Sequence, residues 1–186
     1  MVVIFDACLF YPIAIRHFAT HLAAIDDFQA RWTRRIDEEW MSNVATDLGI
    51  ARERLLPTLA WFALAVPDYL IEDCEGSLPD CTLPDLDDCH VLEAAVFAGA
   101  ERIITANLRD FPDTVLGPYG IRAQHPDEFF CERYALAAER VVEAARDARR
   151  GLTRKPLDPA EYIEGLRKVD LPRLAALLEA QHLHDL

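Results

Sequence analysis

The sequence predicts an α/β fold with a central parallel sheet, and three features support this prediction. Short runs of β-forming residues alternate with longer segments of helical periodicity in the first two thirds of the chain, which is typical of parallel α/β sheets. Two of the predicted strands, residues 2–5 and 102–105, are followed closely by acidic residues. From Pro126 the composition changes to Ala, Glu and Arg at helical spacing, so we expect further helices after the last strand.

Strands are predicted from short apolar runs, and helices from apolar residues that recur every three to four positions. Strands are expected at residues 2–5, 69–71, 102–105 and 121–123. Helices are expected at residues 9–24, 32–48, 51–66, 88–99, 126–150, 159–169 and 172–182. The apolar stripe of the helix at 32–48 consists of Trp32, Ile36, Trp40 and Val44. Glu39 lies at the edge of this stripe, whereas Glu38 points to the opposite side.

The length and composition fit one domain with an appendage, since the chain has 186 residues of which 52% are hydrophobic. We predict a sheet-containing domain over residues 1–130 and a helical extension over residues 131–186. The first ten residues have no basic region and their apolar run is interrupted by Asp6, which does not fit a signal peptide. The longest uncharged apolar run, residues 59–66, is too short to cross a bilayer. The protein is therefore expected to be soluble and cytoplasmic, without a membrane partner.

The net charge of −13 is unevenly distributed along the chain. Residues 1–130 contain nine Arg and 22 Asp or Glu, whereas residues 131–186 contain ten basic and ten acidic residues. An acidic surface keeps a protein soluble, and this is the simplest interpretation of the excess. The alternative is that some of the acids converge on a divalent cation.

The five cysteines, at positions 8, 74, 81, 89 and 131, do not form a CxxC motif. An odd count without a signal peptide argues against a disulfide framework, so reduced thiols are predicted. Cys74, Cys81, Cys89 and His90 could instead form a zinc site, but their spacings are wider than those of common zinc motifs.

Four acidic residues from separate segments, Asp6, Glu39, Asp88 and Asp110, are each expected to point towards one sheet edge or the interior. Carboxylates that lie close together raise one another's pKa values, and a hard cation relieves the repulsion. A metal held in this way can activate water and stabilise charge on a phosphodiester. Each acid also has a structural interpretation: Asp87 could cap the helix that follows it, Asp88 could favour the helix dipole, and Asp6 could be a turn residue.

Four segments resemble one known family in the order in which they occur: VVIFDACLFYP, WTRRIDEEW, LPDLDDCHVLEAAVFAGAERIITANLRDFP and HPDEFF. Together they resemble a PIN domain, and the chain is similar to VapC-like toxins with a helical C-terminal extension. The resemblance covers about residues 1–130 and is most specific between Asp88 and Phe111.

The resemblance implies a three-layer α/β/α fold and a metal-dependent ribonuclease that uses Mg²⁺ or Mn²⁺. It assigns metal binding and catalysis to Asp6, Glu39 and Asp88, with Asp110 as the fourth acid. Thr105, Asn107 and Asp87 would support the site. Two positions depart from many relatives, which carry Asp in place of Asn107 and Asn in place of Cys8.

The resemblance also implies an RNA substrate, a cognate antitoxin protein that blocks the site, and a homodimer. Arg16, Arg52 and Arg109 are candidate phosphate contacts, and further candidates are Arg54, Arg149, Arg150, Arg154 and Lys155. Two other functions remain open. One is a catalytically inactive PIN-fold module that binds RNA or protein, and the other is an aspartyl-phosphate phosphatase. The phosphatase would need a second acid two residues after Asp6, where this chain has Cys8.

Overall fold

The structure, a computed structural model, describes residues 1–25, 27–74, 76–78, 80–152 and 156–186. Its contacts divide the chain into two compact units. The first unit consists of residues 1–11 and 27–125, and the second consists of residues 12–26 and 126–186. The second unit thus combines an N-terminal segment with the C-terminal helices, a grouping that the sequence did not predict. The boundary between residues 130 and 131 stays a prediction.

The first unit contains a five-stranded sheet in which all neighbouring strands are parallel. The strands are β1 (Val2–Phe5), β2 (Gln29–Thr33), β3 (Leu70–Ile71), β4 (Arg102–Ile104) and β5 (Arg122–Gln124), in the order β3-β2-β1-β4-β5. β1 is the central strand, with Ile4 in register with Arg31 on one side and Ile103 on the other. The predicted α/β class with a central parallel sheet and C-terminal helices, as in a PIN-like fold, is confirmed.

The helices are numbered in chain order. They are α1 (Ala7–Phe10), α2 (Ile13–Ile25), α3 (Arg34–Leu48), α4 (Leu56–Ala65), α5 (Cys89–Phe97), α6 (Asp113–Leu116), α7 (Pro126–Gly151), α8 (Pro159–Lys168) and α9 (Pro172–His182). Short 3₁₀ turns precede α4 and α5, at Arg52–Leu55 and Leu86–Asp88. Among the described residues, no helix combines the length and the apolar composition that crossing a membrane requires.

The prediction of a helix from Trp32 was wrong at its start, because residues up to Thr33 form strand β2. Trp32 continues the 3.6-residue stripe of α3 by coincidence, and it is buried as a strand residue whose neighbour Leu70 lies on β3. Thr33 is extended and its hydroxyl accepts a hydrogen bond from the Ile36 amide at 3.2 Å. This N-cap starts the helix after the strand.

An aromatic core fixes β1 and β2 against α1, α3 and α4. Phe10 contacts Trp32 at a ring-centroid distance of 4.8 Å and Phe62 at 5.2 Å. Within this core Asp37 is buried, and its Oδ1 accepts hydrogen bonds from the indoles of Trp32 and Trp40, both at 3.0 Å. Burial raises the pKa of Asp37 to about 6. The sequence analysis did not identify this buried acid, whose role is to satisfy the two indole N–H groups.

The second unit is helical in its described part. Phe18 of α2 packs edge-on against Phe130 of α7 at a centroid distance of 4.9 Å. The carboxylate of Asp127 accepts hydrogen bonds from the amides of Arg173 and Leu174 at 3.0 and 2.9 Å, which satisfies free donors at the start of α9. Asp158 and Glu161 form a capping box at the start of α8.

Candidate active site

Asp6 lies at the carboxyl end of the central strand and is held there by several hydrogen bonds. Its amide donates to the Ile104 carbonyl of β4 at 3.2 Å. Its Oδ1 accepts from the Ala7 amide at 2.6 Å, as the N-cap of α1. Its Oδ2 accepts from the Thr105 hydroxyl at 2.7 Å. Burial raises the pKa of Asp6, although the hydrogen bond from Thr105 acts in the opposite direction.

The pKa of Asp88 is affected by several other acids of the site. It is half-buried and ends the 3₁₀ turn that leads into α5. Burial raises its pKa to about 6, and the negative charges of Asp6, Asp85, Glu39 and Asp110 add to this effect. Because such charge effects require proximity, these acids lie near Asp88.

The cap of this turn is Asp85, whose Oδ1 accepts a hydrogen bond from the Asp87 amide at 2.9 Å. The capping interpretation of Asp87 was therefore wrong. Asp87 is exposed, and its side chain forms no hydrogen bond or ion pair with the other described residues.

Glu39 and Asp110 reach the site from opposite parts of the first unit. The carboxylate of Glu39, on α3, lies 3.3 Å from Nε2 of His90. The carboxylate of Asp110 accepts a hydrogen bond from the Asn107 amide group and lies 3.8 Å from Nε of Arg109. Asn107 in turn donates its backbone amide to the Thr105 hydroxyl at 3.0 Å. Thr105 therefore links the segment after β4 to Asp6.

These side chains surround an open cavity of about 480 Å³ at the carboxyl end of β1. Its lining consists of Asp6, Ala7, Cys8, Tyr11, Glu39, Asn43, Thr46, Asp47, Asp88 and Asn107. Asp110 is not part of the lining, and its carboxylate is mostly covered. The structure thus brings Asp6, Glu39 and Asp88 to one cavity, with Asp110 close to it.

The donor set of this cavity fits a hard cation in type, because it presents carboxylate oxygens and an amide. Burial, and in addition the negative charges of the neighbouring acids, raise the pKa of Asp88, which fits a site that a cation would stabilise. However, no three His, Cys, Asp or Glu side chains of the described residues are already arranged to hold one metal ion.

The basic residues proposed for RNA contact lie in different environments. Arg109 is 87% exposed, and Arg52 is exposed on the turn before α4. Arg16 is only 5% exposed, which does not suit a side chain that should contact phosphates at the surface. Arg149 donates to the carbonyls of Leu157 and Leu186. Arg154 and Lys155 lie outside the described residues.

The cysteines differ from the prediction of reduced thiols. Cys81 and Cys89 form a disulfide that closes the segment leading to Asp88. This pairing also removes two of the four ligands considered for a zinc site. The Sγ of Cys8 accepts a hydrogen bond from the Ala106 amide at 3.3 Å, and burial raises the pKa of its thiol.

The sequence analysis missed several residues of the site. Tyr11 and Asp47 line the cavity and are joined by a hydrogen bond from the tyrosine hydroxyl. Asp85, which caps the turn before α5, was not assigned a role. His90 was considered only as a zinc ligand, because its contact with Glu39 joins residues that are far apart in the sequence.

Comparison with known proteins gave two matches. Residues 126–180 match the family described as the VapC50 C-terminal domain. Over 92 residues the chain is 39% identical to a protein of Mycobacterium tuberculosis named "Putative ribonuclease VapC50". The aligned part is 48% of this chain and 52% of that protein, so the match spans about half the length of the curated relative. No solved structure is a significant match. The two matches confirm the resemblance found in the sequence motifs: residues 126–180 are similar to the VapC50 C-terminal domain, and about half of the chain is similar to a VapC protein.

Proposed function

We propose that the protein is a metal-dependent endoribonuclease and that the acidic cavity is its active site. One observation carries the proposal: the carboxylates of Asp6, Glu39 and Asp88, which come from three separate segments, line the same cavity. An acidic cavity of this kind repels an RNA strand unless a cation offsets its charge. The printed name of the matched relative, which describes that protein as a ribonuclease, supports the same activity.

The residues that would hold Mg²⁺ or Mn²⁺ are Asp6, Glu39, Asp88 and Asp110. A bound cation would lower the pKa of a water molecule and stabilise the negative charge that develops on the phosphodiester. Asp6 is restrained by the Ala7 amide and by Thr105, so it would provide the fixed side of the site. Glu39 is 41% exposed and is therefore the ligand with the most freedom to adjust.

The other polar residues of the cavity would orient these acids or the substrate. Asn107 binds the carboxylate of Asp110 through its side-chain amide, which restrains the acid that lies outside the cavity lining. Arg109 and Arg52 are exposed and would contact phosphates of the RNA strand. The exposed Asp87 would contribute mainly negative charge at the edge of the site.

Cleavage of RNA by the purified protein tests the proposal. The native chain should cleave RNA when Mg²⁺ or Mn²⁺ is present. Asp6→Asn and Asp88→Asn should reduce the rate by about a hundredfold or more, because loss of a carboxylate weakens the hold on the cation that would activate water and stabilise the charge on the phosphodiester. Glu38→Gln is the matched control, because Glu38 is exposed and adjacent to Glu39. Equal cleavage by the native chain and both Asp variants would exclude this cavity as the active site.

We further propose that the protein is the toxin of a type II toxin–antitoxin pair, with an antitoxin protein that blocks the acidic cavity and with a cytoplasmic location. Expression of the native chain should arrest growth, whereas Asp6→Ala and Asp88→Ala should not. If both variants arrest growth as strongly as the native chain, toxicity does not depend on the acidic cavity.

The second candidate function is a catalytically inactive PIN-fold module that binds RNA or protein. The observation that favours it is that the described carboxylates are not arranged as a ready ligand set. This module should bind RNA equally well with and without Mg²⁺ and should leave it uncut.

A further inference from the structure

His90 is a buried side chain that contacts Glu39, one of the residues that line the acidic cavity. It lies on the first turn of α5 and is only 5% exposed. Its Nε2 lies 3.3 Å from Oε2 of Glu39, which belongs to α3. Glu39 itself lines the acidic cavity and is 41% exposed. The contact therefore joins a buried imidazole to a partly exposed acid of the cavity.

His90 also lines a second cavity of about 580 Å³ in the same unit, together with Arg34, Arg35 and Glu93. Glu39 does not line this second cavity, and His90 does not line the acidic one. The contact between His90 and Glu39 thus joins a residue that lines one cavity to a residue that lines the other. Movement of the imidazole would change the position that the Glu39 carboxylate can adopt.

The surroundings of the ring indicate which nitrogen carries the proton. Nδ1 is buried and has no hydrogen-bond partner among the described residues. A proton on Nδ1 would leave a buried donor unsatisfied, and it would turn the lone pair of Nε2 towards a carboxylate oxygen. A proton on Nε2 instead allows donation to Glu39 and leaves only an acceptor without a partner, which buried sites tolerate better.

We propose that His90 is a positioning residue for the cation site: its Nε2–H restrains the Glu39 carboxylate beside the acidic cavity, and this restraint favours binding of a divalent cation by Glu39 together with Asp6 and Asp88. The inference rests on the proposed function, because it requires that the acidic cavity binds a cation. Groups that orient a metal ligand commonly change metal affinity by about 10- to 100-fold when they are removed.

The experiment is a calorimetric titration of the full chain with Mn²⁺ alone. His90→Ala should weaken Mn²⁺ binding about tenfold or more. His90→Gln, whose amide can donate to Glu39, should recover most of the affinity. The double variant His90→Ala with Glu39→Gln should bind no more weakly than Glu39→Gln alone, because the histidine acts only through Glu39. Unaltered affinity in His90→Ala, or effects that multiply in the double variant, would overturn the proposal.

A spectroscopic measurement on the native chain covers the case in which His90→Ala does not fold. The ¹⁵N shifts of the His90 ring should show the proton on Nε2, and a proton on Nδ1 would overturn the proposal. Failure of the proposed function is distinguishable, since the native chain would then bind no Mn²⁺ at all. If the native chain binds Mn²⁺ and His90→Ala binds it equally tightly, the inference about His90 fails while the proposed function stands.

Discussion

Thr105 provides the most direct test of how the site is held together. It is fully buried, its hydroxyl donates to Oδ2 of Asp6 at 2.7 Å, and it accepts from the Asn107 amide at 3.0 Å. Thr105→Val keeps the shape of the side chain but removes both hydrogen bonds. A hydrogen bond to a charged group contributes about 1.5–3 kcal/mol, so the variant should lose about that much stability. Because this hydrogen bond lowers the pKa of Asp6, its loss should raise that pKa further.

The same change should weaken Mn²⁺ binding about tenfold, since Asp6 would lose the group that fixes its orientation. Thr105→Ser is the control, because it retains the hydroxyl. Urea unfolding measures the stability, and titration with Mn²⁺ measures the affinity. The reasoning is refuted if Thr105→Val unfolds at the same urea concentration as Thr105→Ser and binds Mn²⁺ equally well.

Three further predictions concern the first unit. Asp37→Ala leaves the buried indoles of Trp32 and Trp40 without their acceptor, so the free energy of unfolding measured in urea should fall by about 2–5 kcal/mol. A fall of less than about 1 kcal/mol would argue against these two hydrogen bonds. Because burial raises the pKa of Asp37 from 3.8 to about 6, the folded chain retains a proton that the unfolded chain releases, and stability should fall by about 3 kcal/mol as pH rises through this range. Asp37→Asn should remove this slope, and an unchanged slope would assign it to another group. Thiol titration of the unfolded, unreduced chain should find three free cysteines, and five free thiols without reductant would contradict the pairing. Reduction of the Cys81–Cys89 disulfide should lower the free energy of unfolding by about 2.5 kcal/mol, because the loop that it closes is short.

The parts of the fold that the sequence predicted well are those with a strong local pattern. β1 and β4 are short apolar runs whose buried residues pair with strands on both sides, and such runs are recognisable without knowledge of their partners. β2 was missed because Trp32 fits the helical stripe of α3 as well as the alternation of a strand. Residues 29–33 form a strand because they pair with β1 and β3. Both partners are distant in the sequence, so a local pattern does not reveal this pairing.

The same distinction applies to the site. Asp6 and Asp88 could be identified because each lies at the end of a predictable element. The contact between His90 and Glu39 could not be predicted, since it depends on how α3 and α5 pack. Capping by Asp87 was considered as a structural alternative, but the cap is Asp85, because a 3₁₀ turn precedes the helix. The disulfide was excluded by an odd cysteine count, although that count does not prevent one pair from forming.

The central claim is that scattered acidic side chains form one site for a divalent cation. Titration of the native chain and of Asp88→Asn with Mn²⁺ tests it most directly, with Glu38→Gln as the control. The account predicts that the native chain and the control bind Mn²⁺ equally and that Asp88→Asn binds it at least about tenfold more weakly. Absence of binding by the native chain, or equal binding by Asp88→Asn, would contradict the account.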